Sequence, residues 1–125
     1  MGTHSKILTL DHNPRNLQLL EQFLGKEGYT TIPVSTLEAV KEILENTKDI
    51  GIALVDISGF DRKIWEYCER LSTLGVPLLV ISPQHVAGIR QESLLHGAQG
   101  VLFKPLVVKE LTNVIRSLIR GDLNE

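Results

Sequence analysis

Lys6-Ile7-Leu8-Thr9-Leu10 runs directly into Asp11-His12-Asn13-Pro14, and beyond Pro14 apolar residues recur at Leu17, Leu20, Phe23 and Leu24 before Gly28. A short apolar run predicts a strand, and recurrence at i, i+3, i+6 and i+7 predicts one face of a helix. Proline suits the first turn of that helix and glycine its end. The same strand-then-helix reading holds four more times along the chain. Tyr29 to Val34 form the second run, and Pro33 marks it as an edge strand. Ser35-Thr36-Leu37-Glu38 reads as a capping box opening a helix that turns Val40, Ile43 and Leu44 inward. The third run is Ile50 to Val55, followed by the loop Ser58-Gly59-Phe60-Asp61 and a helix with Ile64, Tyr67, Cys68 and Leu71 on one stripe. The fourth, Val76 to Ile81, is apolar throughout, as a parallel strand covered on both faces should be. Its helix, His85 to Leu95, is the least regular and is closed by His96-Gly97. The fifth is Val101-Leu102-Phe103, and the last helix carries Leu111, Val114, Ile115, Leu118 and Ile119.

Five strands alternating with five helices, at roughly 20–25 residues per unit, imply βαβ units and a parallel sheet. Right-handed crossovers with helices on both faces make this an α/β chain. The expected fold is a doubly wound five-stranded parallel sheet, (βα)5, with the flavodoxin-like order 2-1-3-4-5 and its switch point between strands 1 and 3. No motif repeats between the units, which excludes a solenoid.

Composition agrees. The 125 residues are 42% hydrophobic and 22% charged, values of an ordinary globular domain and not of a disordered one. A single domain over 1–125 is expected, with its core at about 6–120 and 121–125 as a tail or the start of a linker. Thirteen Lys+Arg against fifteen Asp+Glu give a net charge of −2, which leaves no footprint for nucleic acid or an anionic lipid surface. The single Cys68 excludes an internal disulfide and suits a reducing cytoplasm. No apolar run approaches the ~18 residues of a membrane span, and no signal-peptide segment follows Met1 to Lys6.

Ligands of open α/β sheets bind beyond the carboxyl ends of the strands. Strand 1 ends in Asp11-His12, strand 3 in Asp56, strand 4 in Ser82 and strand 5 in Lys104-Pro105, while strand 2 ends in Val34-Ser35 and delivers little. A lone aspartate at a strand end is usually a helix cap, and a lone lysine is usually just exposed. Two carboxylates flanking a switch point, with a lysine at the same edge, call for a reason.

Ile7-Leu8-Thr9-Leu10-Asp11, Ala53-Leu54-Val55-Asp56, Leu79-Val80-Ile81-Ser82 and Phe103-Lys104-Pro105 resemble, in order and spacing, the CheY-like receiver domain of two-component response regulators. The resemblance runs from about Lys6 to Arg120 and includes Asn13-Pro14-Arg15-Asn16 and Leu95-His96-Gly97-Ala98. It implies that Asp56 accepts a phosphoryl group, that Lys104 and the Ser82 hydroxyl meet phosphoryl oxygens, and that the Lys104-Pro105 bond is cis. It also implies a Mg²⁺ pocket made by Asp11, Asp56 and the backbone carbonyl of Ser58. A carboxylate can attack phosphorus to give an acyl phosphate once the phosphoryl charge is neutralised. The partners implied are a histidine kinase or phosphotransfer protein and a downstream protein or attached output domain. The phosphoprotein would catalyse its own modification and dephosphorylation, and would not otherwise be an enzyme.

Four departures qualify the resemblance. His12 stands in place of the family's second acid; as an imidazole it is a poor Mg²⁺ ligand, which implies weak binding, and it reads either as a metal or switch residue or as a loop residue near a helix start. The loop after Asp56 is short, with Ser58-Gly59-Phe60 instead of the family's Pro-Gly pattern. Val101 replaces the aromatic switch residue, and Pro83 follows Ser82 where a small residue is usual. The alternative reading is therefore a pseudo-receiver, a protein-docking module that works without phosphorylation. A flavin or nucleotide binder is disfavoured, because Asp11-His12-Asn13-Pro14-Arg15 offers no phosphate cradle. By the resemblance the output face spans helix 4, strand 5 and helix 5, with His85, Arg90, Gln91, Lys109 and Arg116 on it. Cys68 reads as a buried small hydrophobe, Trp65 as packing or a partial surface anchor, and His85 and His96 as surface imidazoles.

Overall fold

The computed structural model describes residues 6–83 and 86–120. His85 and Gly121 to Glu125, assigned above to the output face and to a tail, lie outside the described residues. Five strands, β1 (Lys6–Leu10), β2 (Thr30–Val34), β3 (Ile50–Asp56), β4 (Leu78–Ser82) and β5 (Gly100–Phe103), alternate with five helices. The helices are α1 (Pro14–Lys26), α2 (Leu37–Asn46), α3 (Ile64–Thr73), α4 (Ile89–Leu95) and α5 (Val108–Arg120). The sheet is parallel with order β2-β1-β3-β4-β5, as the sequence predicts.

The continuous apolar runs serve two cores at once. Along β3, Ala53 and Val55 face one cluster with Leu8, Leu10, Val40 and Cys68, while Ile52 and Leu54 face the other with Leu20, Leu24, Leu111 and Ile115. Along β4, Leu78 and Val80 join the first, Leu79 and Ile81 the second. Side chains alternate across a strand, so a strand covered on both faces needs apolar residues at every position. β2 lies at the sheet edge, as Pro33 predicts.

Two strands, β2 and β4, start later than their apolar runs, for one repeated reason. Three helices close in Schellman caps. Tyr29 N donates to Leu24 O and Gly28 N to Gly25 O after α1; Val76 N donates to Leu71 O and Gly75 N to Ser72 O after α3; Ala98 N donates to Ser93 O and Gly97 N to Leu94 O after α4. Tyr29 and Val76 therefore spend their amides on a cap and not on the ladder. Two helix starts also differ from the sequence reading. The α2 cap is Thr36, one residue later than the capping box expected on Ser35: its hydroxyl accepts from Ala39 N at 3.2 Å, and Glu38 therefore sits one residue too early to reach back to the cap. α4 begins at Ile89 behind Gly88, not at His85. On α3, Trp65 is in the core at 7% exposure while Tyr67 is only partly buried, the reverse of the stripe expected.

Gly97 combines a left-handed backbone, φ +101°, with close packing: a Cβ there would lie 2.6 Å from Ser72 Cβ on α3. Gly28 has φ +91° but open space around it. Gly97→Ala is expected to destabilise the fold by about 2–4 kcal/mol, against about 1–2 kcal/mol for Gly28→Ala. Urea unfolding of the two variants checks this; equal losses would show that the α3–α4 approach contributes nothing.

Candidate functional site

Sheet register builds the site. Leu10 pairs with Val55, so the next residues, Asp11 and Asp56, emerge side by side at the carboxyl edge, at the switch between β1 and β3. Both are nearly sealed from water, at 5% and 2% exposure. Each is held by the same local device, a side-chain oxygen accepting from the amide two residues on. Asp11 Oδ1 accepts from Asn13 N at 2.8 Å, and Asp56 Oδ1 accepts from Ser58 N at 2.9 Å. Asn13 in turn caps α1, its Oδ1 accepting from Arg15 N.

The remaining oxygen of Asp56, Oδ2, makes no conventional hydrogen bond among the described residues. It faces the ammonium of Lys104, with Nζ 2.5 Å away. Lys104 is delivered there by its backbone, whose N–H donates to Ser82 O as the last rung beyond β5; the Lys104-Pro105 bond is cis. Burial pushes the Asp11 carboxyl above its ordinary range; the Asn13 amide opposes this, the neighbouring Asp56 charge adds to it, and Asn16 on α1 again lowers it.

Asp11, Asp56 and Lys104 are thus brought together, at one end of a cleft of about 250 Å³ whose other walls include Leu19, Phe23, Leu106 and Val108 of the α1 and α5 side. The remaining predicted site residues sit differently. Ser82 is fully buried at the end of β4, and its hydroxyl donates to Pro83 O at 3.0 Å. The Ser58 hydroxyl is buried without a partner among the described residues. His12 is exposed and leans on the loop after β3: its ring meets Phe60 edge-on at 5.9 Å, and a Cβ on Gly59 would come within 3.1 Å of it. Among the described residues no three His, Cys, Asp or Glu side chains converge as a ligand cluster, so the geometry leaves His12 outside the acid pair.

Sequence reasoning passed over Asn16 and Phe103. Asn16 follows Pro14 by two positions in the first turn of α1, which is the signal that could have found it. Phe103 shares the face of β5 that carries Val101 and takes the Arg90 guanidinium over its ring at 5.6 Å. Val101 itself is buried against β4.

The donors fit a hard divalent cation. Two adjacent buried carboxylates, one with an oxygen lacking a conventional hydrogen bond, are oxygen ligands of the kind Mg²⁺ takes.

Residues 7–116 match the response regulator receiver domain family. The chain belongs to that family. It is 30% identical over 116 residues to a heme response regulator, HssR, of Staphylococcus epidermidis, covering 90% of this chain and 50% of that protein. It is 25% identical over 114 residues to HssR of Staphylococcus saprophyticus, with the same coverage. The receiver domain thus spans about half the length of these relatives. Its fold superposes on a CheY-like receiver domain protein from Methanospirillum hungatei with a TM-score of 0.86 at 23% identity, covering 98% of each chain. Among the described residues of this receiver no helix is long and apolar enough to cross a membrane.

An aspartate whose folded carboxyl titrates above its unfolded value holds extra protons in the folded state, so stability falls as pH rises through that window. Asp11→Asn keeps the Oδ1 acceptor and removes the charge. It is expected to raise stability on the order of 1 kcal/mol at neutral pH in chelator-treated buffer, with the gain shrinking as pH falls toward the ordinary carboxylate range. Chemical denaturation at several pH values reads it. A destabilised Asp11→Asn at neutral pH would contradict the burial argument.

Proposed function

We propose that this receiver accepts a phosphoryl group on Asp56 from a histidine kinase or phosphotransfer protein in the cytoplasm and thereby switches its contacts with a downstream protein or attached output domain. The observation that carries the reading is the asymmetry of the Asp56 carboxylate. Oδ1 is tied to Ser58 N, while Oδ2 has only the ammonium of Lys104 against it among the described residues. Oδ2 is the nucleophile. As its bond to phosphorus forms, the bond from phosphorus to the donor nitrogen breaks and the nitrogen leaves with its electron pair. Lys104 moves from the carboxylate to a phosphoryl oxygen and neutralises the charge that develops there. Asp11, Asp56 and the Ser58 carbonyl would hold Mg²⁺, which supplies further neutralisation of the phosphoryl oxygens when bound. The domain modifies itself once per cycle and turns over no other substrate.

Ser82 is the weak element, because its hydroxyl is engaged by Pro83 O and must rotate to serve a phosphoryl group. That bond, with His12 standing outside the acid pair, favours a second reading: a docking module whose contacts need no phosphate. Intact mass after incubation with acetyl phosphate and Mg²⁺ separates the two. The first reading expects one added phosphoryl group in wild type, none in Asp56→Asn, and labelling slowed about 100-fold in Lys104→Ala. An unlabelled wild type supports the docking reading, and a labelled Asp56→Asn removes Asp56 as the acceptor.

His12 occupies the place of an acid. His12→Asp is expected to tighten Mg²⁺ binding by about 10- to 100-fold, the worth of one charged ligand. Calorimetry measures it, and an unchanged affinity would show that the side chain at this position does not reach the cation.

A further inference from the structure

We propose that His96 is a proton-operated clamp that fastens the end of α4 to α3, so that proton concentration biases the position of α4 independently of Asp56.

α4 is only seven residues long and buries only Ile89 and Ser93, so its own packing holds it lightly. Its cap residue, His96, makes the strongest polar contacts available to it. Nδ1 lies 2.5 Å from Glu69 Oε2 on α3, and Nε2 lies 3.9 Å from Glu92 Oε2 one turn back on α4. The imidazole stacks on Trp65 of α3, with centroids 5.1 Å apart and planes at 19°. The next residue, Gly97, backs against Ser72 of α3. Three contacts to α3 and one within α4 thus meet at the end of α4.

The ring's protonation state decides how many of these contacts can be favourable. A protonated imidazole has two N–H donors, one for each carboxylate, and presents a cation to the indole face. A neutral ring has one donor, so one of its nitrogens turns a lone pair toward a carboxylate. The other titratable and charged groups nearby do not substitute for it. Arg62, ahead of α3, is held by Glu92 at 2.8 Å and faces solvent. The Cys68 thiol beneath Glu69 is pushed up to about 12 by burial and stays uncharged. Histidine side chains exchange their second proton between about pH 5 and 8, so the clamp closes on acidification and loosens on the basic side. The phosphoryl reading plays no part in this; the contacts lie away from the Asp56 edge and are tested without a phosphodonor.

Trp65 is the only tryptophan of the chain, and protonated imidazole against indole quenches its emission. The full chain is titrated from about pH 5.5 to about pH 8.5, with tryptophan emission and amide hydrogen exchange of α4 followed together. In wild type, emission rises with pH, and protection of residues 89–95, normalised for intrinsic exchange, falls about two- to fivefold while α1 is unchanged. His96→Gln abolishes the emission step, and Glu69→Gln, which removes the carboxylate on α3, abolishes the change in α4 protection. A flat wild-type emission curve, an unaltered step in His96→Gln, or α4 protection that does not change across the step each overturn the clamp. Should His96→Gln fail to fold, Glu69→Gln decides: α4 protection that still changes with pH in that variant overturns it.

Discussion

Two carboxylates cannot be buried side by side at a sheet edge without something to hold them there. In this receiver domain the parallel register of β1 and β3 forces Asp11 and Asp56 together, and the pair is held by two Asx turns and one lysine. Each is a local device: an amide two residues on, and an ammonium brought across by a strand two places away in the sheet. Neither replaces the water lost on burial, and the Asp11 carboxyl is accordingly raised. A site of this kind suits a cation, because a positive charge offsets what the protein alone leaves uncompensated. The rest of the fold, two apolar cores on either face of a rigid sheet, keeps that edge from relaxing.

Most of the architecture was legible in the sequence because it rests on periodicities. Uninterrupted apolar runs such as Leu78 to Ile81 announce strands covered on both faces, and Pro33 announces an edge. Boundaries were less legible because they depend on where a backbone amide finds its acceptor. Tyr29 and Val76 look like strand residues, yet their amides close helix caps. Trp65 and Tyr67 lie about 200° apart around a helix, and which of them enters the core depends on the neighbouring helix, which periodicity over ten residues does not resolve.

The site divides in the same way. Asp11 and Lys104 directly follow their strands and Asp56 ends its own, so the sheet's topology alone brings them together. The orientation of Ser82 and His12 is set by side-chain partners, Pro83 O for one and Phe60 with Gly59 for the other, and nothing in a linear pattern encodes those choices. The edge next to α4 carries its own variation. A small Val101 is buried where the family places an aromatic ring, and the aromatic of β5 is Phe103, covered by Arg90 from α4. At its far end α4 is tied to α3 by His96 against Glu69.

The acid pair at the switch point is the proposed seat for a hard cation. Thermal unfolding followed with increasing Mg²⁺ tests it without any phosphodonor, since a ligand bound only by the folded state raises the melting temperature by mass action. The wild-type midpoint is expected to climb with Mg²⁺ concentration while that of Asp56→Asn stays level. A wild type that does not respond to Mg²⁺, or an Asp56→Asn variant that climbs equally, would contradict it.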